Sequence, residues 1–210
     1  MNACLASTSL ALLLAAGISA APFPSPSALR APAVQAHASG KYKVDSEHST
    51  VLLKVKHLNT SWTLLRFDKV SGDFSIDPAH PEAASFKVQI AAASIDSNNA
   101  NRDDELKGQH FLDATKYPDV TFTSKSVQKS GDGKYKAEGE LALHGVTKPV
   151  TVELEETGAS ETQFGPRAGF YGTFSIQRKD FGITYMPEAV GDEIQATVSI
   201  EGLRADAKPK

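Results

Sequence analysis

The densest group of ionisable side chains in this sequence lies in residues 98 to 122, NNANRDDELKGQHFLDATKYPDVTF. Carboxylates and an imidazole close together are what acid–base catalysis or a metal site would require. Asp103, Asp104 and Glu105 are consecutive, so on a helix their side chains point about 100° apart and cannot converge on one substrate. Acids in the solvated first turn of a short helix are therefore favoured over a catalytic group.

The same stretch carries the start and stop signals of a helix. Asn99 or Asn101 can cap its first turn, the acids suit the positive end of the helix dipole, and Gly108 ends it. We predict about two helical turns here. They would lie between the third and fourth strands of the sheet described below.

Other motifs of catalysis and metal binding are absent from the sequence. The six histidines show no His-x-His, His-x-x-x-His or His-Glu-x-x-His spacing. There is no Gly-x-Ser-x-Gly nucleophile motif, no phosphate-binding glycine loop and no dinucleotide fingerprint. We therefore predict no catalytic residue, no metal site and no cofactor.

Residues 1 to 21 have the pattern of a secretory signal peptide. Leu10 to Ala16 form an apolar run too short to span a bilayer, and Ser19, Ala20 and Ala21 suit a cleavage site. No Lys or Arg precedes the run, so a retained anchor is the alternative. We predict cleavage near Ala21 and a periplasmic or secreted protein.

The rest of the chain divides by composition. Residues 22 to 40 are rich in Pro, Ala and Ser and predict a disordered lead, followed by a domain over 41 to 204 and a tail over 205 to 210. Cys4, the only cysteine, lies in the predicted signal. The mature protein would then have no disulfide, thiol nucleophile or cysteine-bound metal.

The charge distribution excludes one class of partner. The chain carries 22 basic and 25 acidic side chains, and the basic ones are not clustered into runs. A nucleic-acid-binding surface is therefore not expected. The mild net negative charge also argues against electrostatic binding to anionic lipid, so we expect membrane contact to be transient at most.

Alternating apolar and polar residues predict eight strands. The alternating runs cover residues 51–57, 70–76, 86–92, 120–122, 135–143, 150–154, 168–178 and 194–200. Because no βαβ crossover pattern occurs, the sheet should be antiparallel. Such strands form a sandwich or a barrel, and we favour a barrel because closure removes exposed edges.

Two polar residues fall at inward positions of these strands. His57 continues the face of Leu53 and Val55, and Arg178 continues that of Phe174 and Ile176. Each could instead be a strand end that reaches solvent, or part of a buried pair with an acid such as Asp180. If both face one mouth, they suit an anionic or carbonyl head group.

The inward faces mix small and aromatic side chains, which is typical of either a filled core or a tunnel for a thin apolar chain. On the second interpretation, the residues predicted to bind a ligand are Leu53, Val55, His57, Phe67, Phe74, Ile76, Val88, Ile90, Phe111, Phe122, Leu141, Leu143, Phe170, Phe174, Ile176, Arg178, Phe181 and Val198.

Four segments resemble the YceI-like family. They are YKVDSEHSTVLLKVKHL, SFKVQIAAASIDSNNANRDDELKGQHFLDATKYPDVTF, GELALHGVTKPVTVELE and FSIQRKDFGIT, in family order and spacing. The segment LNTSWTLLRFDKVSGDF is longer than the commoner family version, so the mouth near Trp62 could have a different form. The resemblance covers nearly all of residues 41 to 203.

The resemblance implies an all-β fold, an eight-stranded antiparallel lipocalin-like barrel around an apolar tunnel. It implies that Phe111 and Leu112 plug the barrel, and that Asp96, Asn101 and Arg102 hold the loop carrying the short helix. It also implies a non-catalytic carrier of a long-chain isoprenoid lipid, such as a quinone or polyprenyl phosphate. Alternatives are an enzyme (hydrolase or isomerase) acting on such a lipid, or an envelope stress module with a filled barrel. A homodimer is possible.

Overall fold

The computed structural model describes residues 39–163 and 165–206. The predicted signal peptide, nearly all of the predicted lead and most of the predicted tail lie outside these ranges. The elements in chain order are β1 (Gly40–Val44), β2 (Thr50–His57), β3 (Ser61–Phe67), β4 (Val70–Ile76), β5 (Ser85–Ala91), β6 (Ile95–Asp96), α1 (Ala100–Lys107), β7 (Asp119–Gly131), β8 (Lys134–Leu143), β9 (Val146–Thr162), β10 (Gly165–Gln177) and β11 (Val190–Arg204).

Eight of these strands close into an antiparallel barrel, as predicted. Their order is β1-β4-β5-β7-β8-β9-β10-β11, and β11 pairs back to β1. Towards its start, β11 pairs instead with β2, which continues the sheet through β3 to β6. The β2–β3 hairpin therefore continues the barrel wall beside the first part of β11.

The predicted position of the helix is slightly off. By chain order α1 follows the sixth strand, because β1, β3 and β6 were not among the predicted strands. β6 has two residues and β1 has five, too few for a clear alternation. In β3, Trp62 and Leu64 are apolar yet exposed, which hides the alternation of its faces.

The acidic stretch is structural, as favoured from the sequence. Asn99 Oδ1 accepts the Arg102 backbone N–H at 3.1 Å, and the helix ends at Lys107 with Gly108 as its C-cap. Asp103 Oδ1 accepts the Ser97 backbone N–H at 2.7 Å, and Arg102 donates to the Ser97 carbonyl at 2.6 Å. The Ser97 hydroxyl, which also donates to Asp103, lowers the pKa of that carboxyl.

One end of the barrel is closed by stacked rings, which we call the aromatic floor: Tyr42, Phe74, Phe86 and Phe170. Ring centroids lie 5.1 Å apart for Tyr42–Phe74, 5.8 Å for Phe74–Phe86 and 5.2 Å for Phe86–Phe170. A Cβ on Gly202 would lie 2.5 Å from a ring carbon of Phe74. The missing side chain at 202 therefore lets the ring lie against β11.

The opposite end is covered by two segments outside the sheet, residues 97–118 (which include α1) and residues 178–189, which together we call the cap. The ring centroids of Phe111 and Tyr185 lie 5.5 Å apart, and His110 stacks on Tyr185 at 4.5 Å. His144, in the β8–β9 turn, has Nδ1 3.1 Å from the Phe181 carbonyl. The cap thus rests on the end of the barrel wall.

Phe111, Leu112, Phe181 and Ile183 are the buried apolar side chains of the cap and belong to the hydrophobic core. Phe111 and Leu112 therefore lie where the family resemblance placed an apolar plug. Asp96 and Arg102 hold this loop, since Asp96 bonds Arg66 and Arg102 bonds Ser97. Asn101 is exposed, and the capping role belongs to Asn99.

Candidate ligand-binding cavity

An apolar cavity of about 50 Å³ lies inside the barrel, next to the aromatic floor. Side chains from seven strands line it, and none of them is polar: Val51, Phe86, Val88, Ile90, Phe122, Leu141, Val152, Leu154, Phe174, Val198 and Ile200. Each occupies an inward position of its strand, so the cavity is produced directly by the strand alternation. Phe86 belongs to both the floor and the cavity wall.

Six of the residues predicted to bind a ligand line this cavity: Val88, Ile90, Phe122, Leu141, Phe174 and Val198. Phe74 and Phe170 lie in the floor, and Phe111 and Phe181 lie in the cap. The others from the strands face the interior elsewhere, buried or half-buried: Leu53, Val55, Phe67, Ile76, Leu143 and Ile176.

Five cavity residues were not among those predicted: Val51, Phe86, Val152, Leu154 and Ile200. They follow the same alternation as the predicted ones, so the sequence does place them inward. Which inward residues border a void depends on how side chains from different strands meet. Nothing in a single sequence records that.

The cavity is much smaller than a ligand site of ordinary size. Pockets for small molecules are typically about 300–1,000 Å³, whereas this one holds about 50 Å³. It also stops short of the continuous tunnel implied by the resemblance, since the packed rings of the floor bound it on one side. Entry of an apolar chain would require some of the lining side chains to move.

Four lining side chains are only half-buried: Ile90, Phe122, Phe174 and Val198. The other seven are buried. Phe122 and Phe174 are the largest of the half-buried four, and each has a torsion that could swing its ring without breaking a strand pair. They are the side chains best placed to enlarge the cavity.

His57 does not line the cavity, contrary to its predicted inward position. It is the exposed last residue of β2, paired with Ser61 and Val190. The chain turns immediately afterwards, where Leu58 and Asn59 have positive φ. The inward alternation of β2 therefore ends before His57, and the strand-end alternative is the correct one.

Arg178 is buried, at 3 % exposure, and its side chain bonds the cap. β10 ends at Gln177, and Arg178 begins a 3-10 turn. Its guanidinium donates to four backbone carbonyl contacts, at Gly191 (3.0 Å), Ile183 (3.1 Å), Tyr185 (2.8 Å) and Val190 (2.8 Å). Those bonds leave little donor capacity for a ligand.

The charge of Arg178 is balanced differently from the sequence expectation. Burial lowers the pKa of Arg178, and the nearby carboxylate of Asp192 opposes that shift. Asp180, the partner considered from the sequence, is exposed. His57 and Arg178 both contact Val190, but His57 is exposed and Arg178 is buried, so the two side chains do not face one mouth.

A second polar cluster, which the sequence did not reveal, lies outside the barrel. Asp45, His48 and Glu201 bring ligand atoms within 4.8 Å of one another, the spacing of a possible metal site. Arg167 Nη1 donates to Asp45 Oδ2 at 2.6 Å and also to Glu201 Oε1. Both carboxylates are therefore paired with the same protein cation, and we interpret the cluster as a latch that joins the end of β1 to β10 and β11.

The latch shifts the pKa values of Asp45 and His48. The hydrogen bond from Arg167 lowers the pKa of Asp45 to about 2, assisted by His48 and opposed by burial. In return, the hydrogen bond to Asp45 raises the pKa of His48.

None of the helices in residues 39–163 and 165–206 has the length and hydrophobicity needed to cross a bilayer.

Comparison with known proteins gives a consistent result. A family model described as YceI-like domain matches residues 42–202. A UPF0312 protein of Yersinia pestis is 40 % identical over 166 residues, which cover 78 % of this chain and 86 % of that protein.

Solved structures agree in fold. BcnA of Burkholderia cenocepacia is 27 % identical with a TM-score of 0.70, over 75 % of this chain and 98 % of BcnA. A Campylobacter jejuni YceI protein is 33 % identical with a TM-score of 0.62, over 70 % and 88 % of the two chains. A polyisoprenoid binding domain from Saccharophagus degradans, 16 % identical with a TM-score of 0.63 over 78 % and 98 %, shares the fold.

Proposed function

Because the chain belongs to the family of YceI-like domains, we propose that it binds the apolar tail of a long-chain isoprenoid lipid inside its barrel. The head group would be a quinone or a polyprenyl phosphate. The observation that carries this proposal is the cavity, which lies within a closed barrel and is lined only by apolar side chains. An empty apolar void gains favourable contacts when an apolar ligand fills it.

The small volume sets how binding would proceed. Each Å² of lipid tail removed from water contributes about 25 cal/mol, so a long tail can offset the cost of moving several side chains. Rotation of Phe122 and Phe174 would join the void to the space beneath the cap. The tail would then extend from the aromatic floor towards the cap, with its head group near the cap.

Two observations support this class of ligand: the fold and the chemistry of the cavity wall. One structural neighbour is called a polyisoprenoid binding domain; at its level of identity this is an analogy of fold. A wall without polar groups favours a hydrocarbon without polar groups, which fits an isoprenoid tail.

We further propose a carrier that acts in the periplasm or outside the cell without covalent change of its ligand. An enzyme would need polar residues that converge on the reacting atoms. His57 and Arg178, the two candidates for such a role, both contact Val190, but neither lines the cavity. The carrier would extract, hold and release the lipid.

Native mass spectrometry of the protein mixed with a short-chain ubiquinone and with farnesol tests this function. We expect a one-to-one complex, and we expect Val198→Phe to abolish it because the larger side chain fills the cavity. Thr173→Phe, on the outer face of β10, is the matched control and should bind normally.

Circular dichroism and urea unfolding should establish that both variants are folded. A folded wild-type chain that takes up neither lipid would contradict the proposal and favour a filled barrel. Equal uptake by Val198→Phe would place the ligand elsewhere. Chemical conversion of the bound lipid would favour the enzyme alternative.

A further inference from the structure

The outer face of the β2–β3 hairpin exposes four large apolar side chains. They are Leu64 at 68 % exposure, Leu58 at 55 %, Leu52 at 46 % and Trp62 at 39 %. Scattered exposed apolar residues are ordinary, but a contiguous group on a soluble domain indicates an interaction surface. With Lys54 and Lys56 they form what we call the hairpin patch.

Strand register makes the patch contiguous. Lys54 pairs with Leu64 and Lys56 pairs with Trp62 across the hairpin, so all four point to the outer face. The ammonium groups of Lys54 and Lys56 lie 4.1 Å and 4.4 Å from the Trp62 ring centroid. An aromatic ring and two cations thus occupy one small area beside exposed leucines.

The patch carries an unbalanced positive charge. Among the described residues, neither Lys54 nor Lys56 has a carboxylate oxygen within 4.0 Å, and the β11 neighbour of Lys54 is the neutral Gln195. Some outer lysines elsewhere are paired, as in Lys136–Glu153 at 3.2 Å, so what distinguishes the patch is that two unpaired lysines flank one exposed ring. Although the whole chain is slightly acidic, charges farther than about 8 Å are largely screened at physiological salt.

We propose that the hairpin patch docks the protein on the surface of an anionic phospholipid bilayer. Tryptophan and leucine would enter the interface between head groups and acyl chains, and the lysines would pair with lipid phosphates. This inference goes beyond the proposed function, because a bilayer can be bound whether or not the cavity accepts a lipid tail.

A second copy of this chain fits the patch less well. β3 pairs with β6 only at Arg66 and Phe67, so residues 61–65 form a sheet edge that another strand could extend. A two-fold interface across this face would bring Lys54 and Lys56 close to the same lysines of the other copy. Like charges facing each other disfavour that arrangement, whereas an anionic surface is complementary to it.

The location of the patch suits exchange of a lipid. The Leu58 backbone N–H donates to the Ala189 carbonyl at 2.8 Å, so the hairpin turn touches the cap segment 178–189. Docking through the patch would therefore bring the cap end of the barrel to the membrane surface, with the aromatic floor turned away.

Trp62 is the only tryptophan in the chain, so its fluorescence reports on the patch directly. The full chain would be titrated with phosphatidylcholine vesicles, with or without 30 mol % phosphatidylglycerol (about a third, enough for a strong surface potential). We expect a blue shift and quenching by brominated lipid with the anionic vesicles only. Quenching identifies insertion of Trp62 itself, so binding through another part of the chain does not imitate it.

The double variant Lys54→Glu/Lys56→Glu should bind at least about tenfold more weakly, since each lysine near the surface contributes to binding. Lys87→Glu/Lys129→Glu, which reverses two exposed lysines on other strands, is the matched control and should bind like wild type. Leu64→Ser should reduce the blue shift and leave the preference for anionic lipid.

Three results would overturn the proposal: no quenching of wild type, equal binding to neutral vesicles, or equal loss in both double variants. Analytical ultracentrifugation that finds a dimer dissociated by Leu64→Ser would assign the patch to a second copy. Because lipid uptake by the cavity is measured separately with farnesol, failure here leaves the proposed function intact.

Discussion

The two ends of the barrel are closed by different physical means. The aromatic floor is made of rings from β1, β4, β5 and β10, packed by the sheet itself. The cap is made of segments outside the sheet, in which Arg178 donates to carbonyls, Arg102 donates to Ser97 and Asp103 accepts from Ser97, and four of its apolar side chains are buried. An end closed by segments outside the sheet can open while the sheet stays intact.

This difference assigns separate tasks to the two ends. Opening the floor would require strands to separate, which costs much of the stability of the domain. Opening the cap would break a small number of hydrogen bonds and expose Phe111 and Phe181. A lipid tail would therefore enter from the cap end and stop at the floor.

The largest expected effect is a loss of stability in the floor. Phe74→Ala removes a ring that is 1 % exposed and in contact with three other rings. We expect a loss of about 4 kcal/mol in the free energy of unfolding, from lost burial and from the cavity left behind. Unfolding in guanidinium chloride, followed by circular dichroism, measures it.

Phe174→Ala is the matched comparison, because this ring is half-buried and already borders a void. We expect it to cost about 2 kcal/mol. Equal costs for the two variants would mean that the floor is no better packed than the cavity wall, and the proposed contrast between the ends would fail.

The next effect concerns the cap. Arg178→Met removes the donor of four hydrogen bonds to backbone carbonyls, one buried and three part-buried, and should cost about 3 kcal/mol. Since those bonds are broken when the cap opens, the variant should also open its cap more often. Hydrogen exchange of the Ile183 and Val190 amides should rise on the order of 100-fold.

The same hydrogen-exchange measurement distinguishes the two ends of the barrel. Phe74 keeps its contacts when the cap opens, so Phe74→Ala should leave the cap-opening free energy unchanged while it lowers global stability. Lys87→Met removes an exposed cation on β5, away from the cap, and is the control for loss of charge alone. If Phe74→Ala accelerated cap exchange as much as Arg178→Met, the ends would be one cooperative unit.

The sequence predicts the barrel well because its main signal is local. Inward and outward residues alternate along β5, β8 and β10, and each assignment needs only neighbours along the chain. β3 is not predicted by this alternation, because Trp62 and Leu64 are apolar although they face away from the barrel interior. The same exception that misled the strand prediction points to the hairpin patch.

The sequence predicts the candidate site less completely than it predicts the fold. The alternation places His57 and Arg178 inward, but His57 is the last residue of β2 and Arg178 lies one residue past the end of β10. Strand ends depend on turns and on partners far away in sequence. A filled core and a cavity use the same apolar residues. The latch of Asp45, Arg167 and Glu201 joins three distant strands, and no spacing in the sequence indicates it.

The smallest effect tests that latch, which stabilises the floor half of the barrel from outside. The pKa of Asp45 is lowered to about 2 by Arg167, so its contribution is present above the ordinary carboxyl pKa of about 4 and is lost as pH falls through about 2. Asp45→Asn should therefore cost about 1–2 kcal/mol at pH 7 and almost nothing near pH 2. Urea unfolding at both pH values measures this, with Asp73→Asn, an exposed aspartate of β4, as control. A pH dependence identical to that of wild type would show that the ion pair does not stabilise the barrel, leaving its rings to hold that end alone.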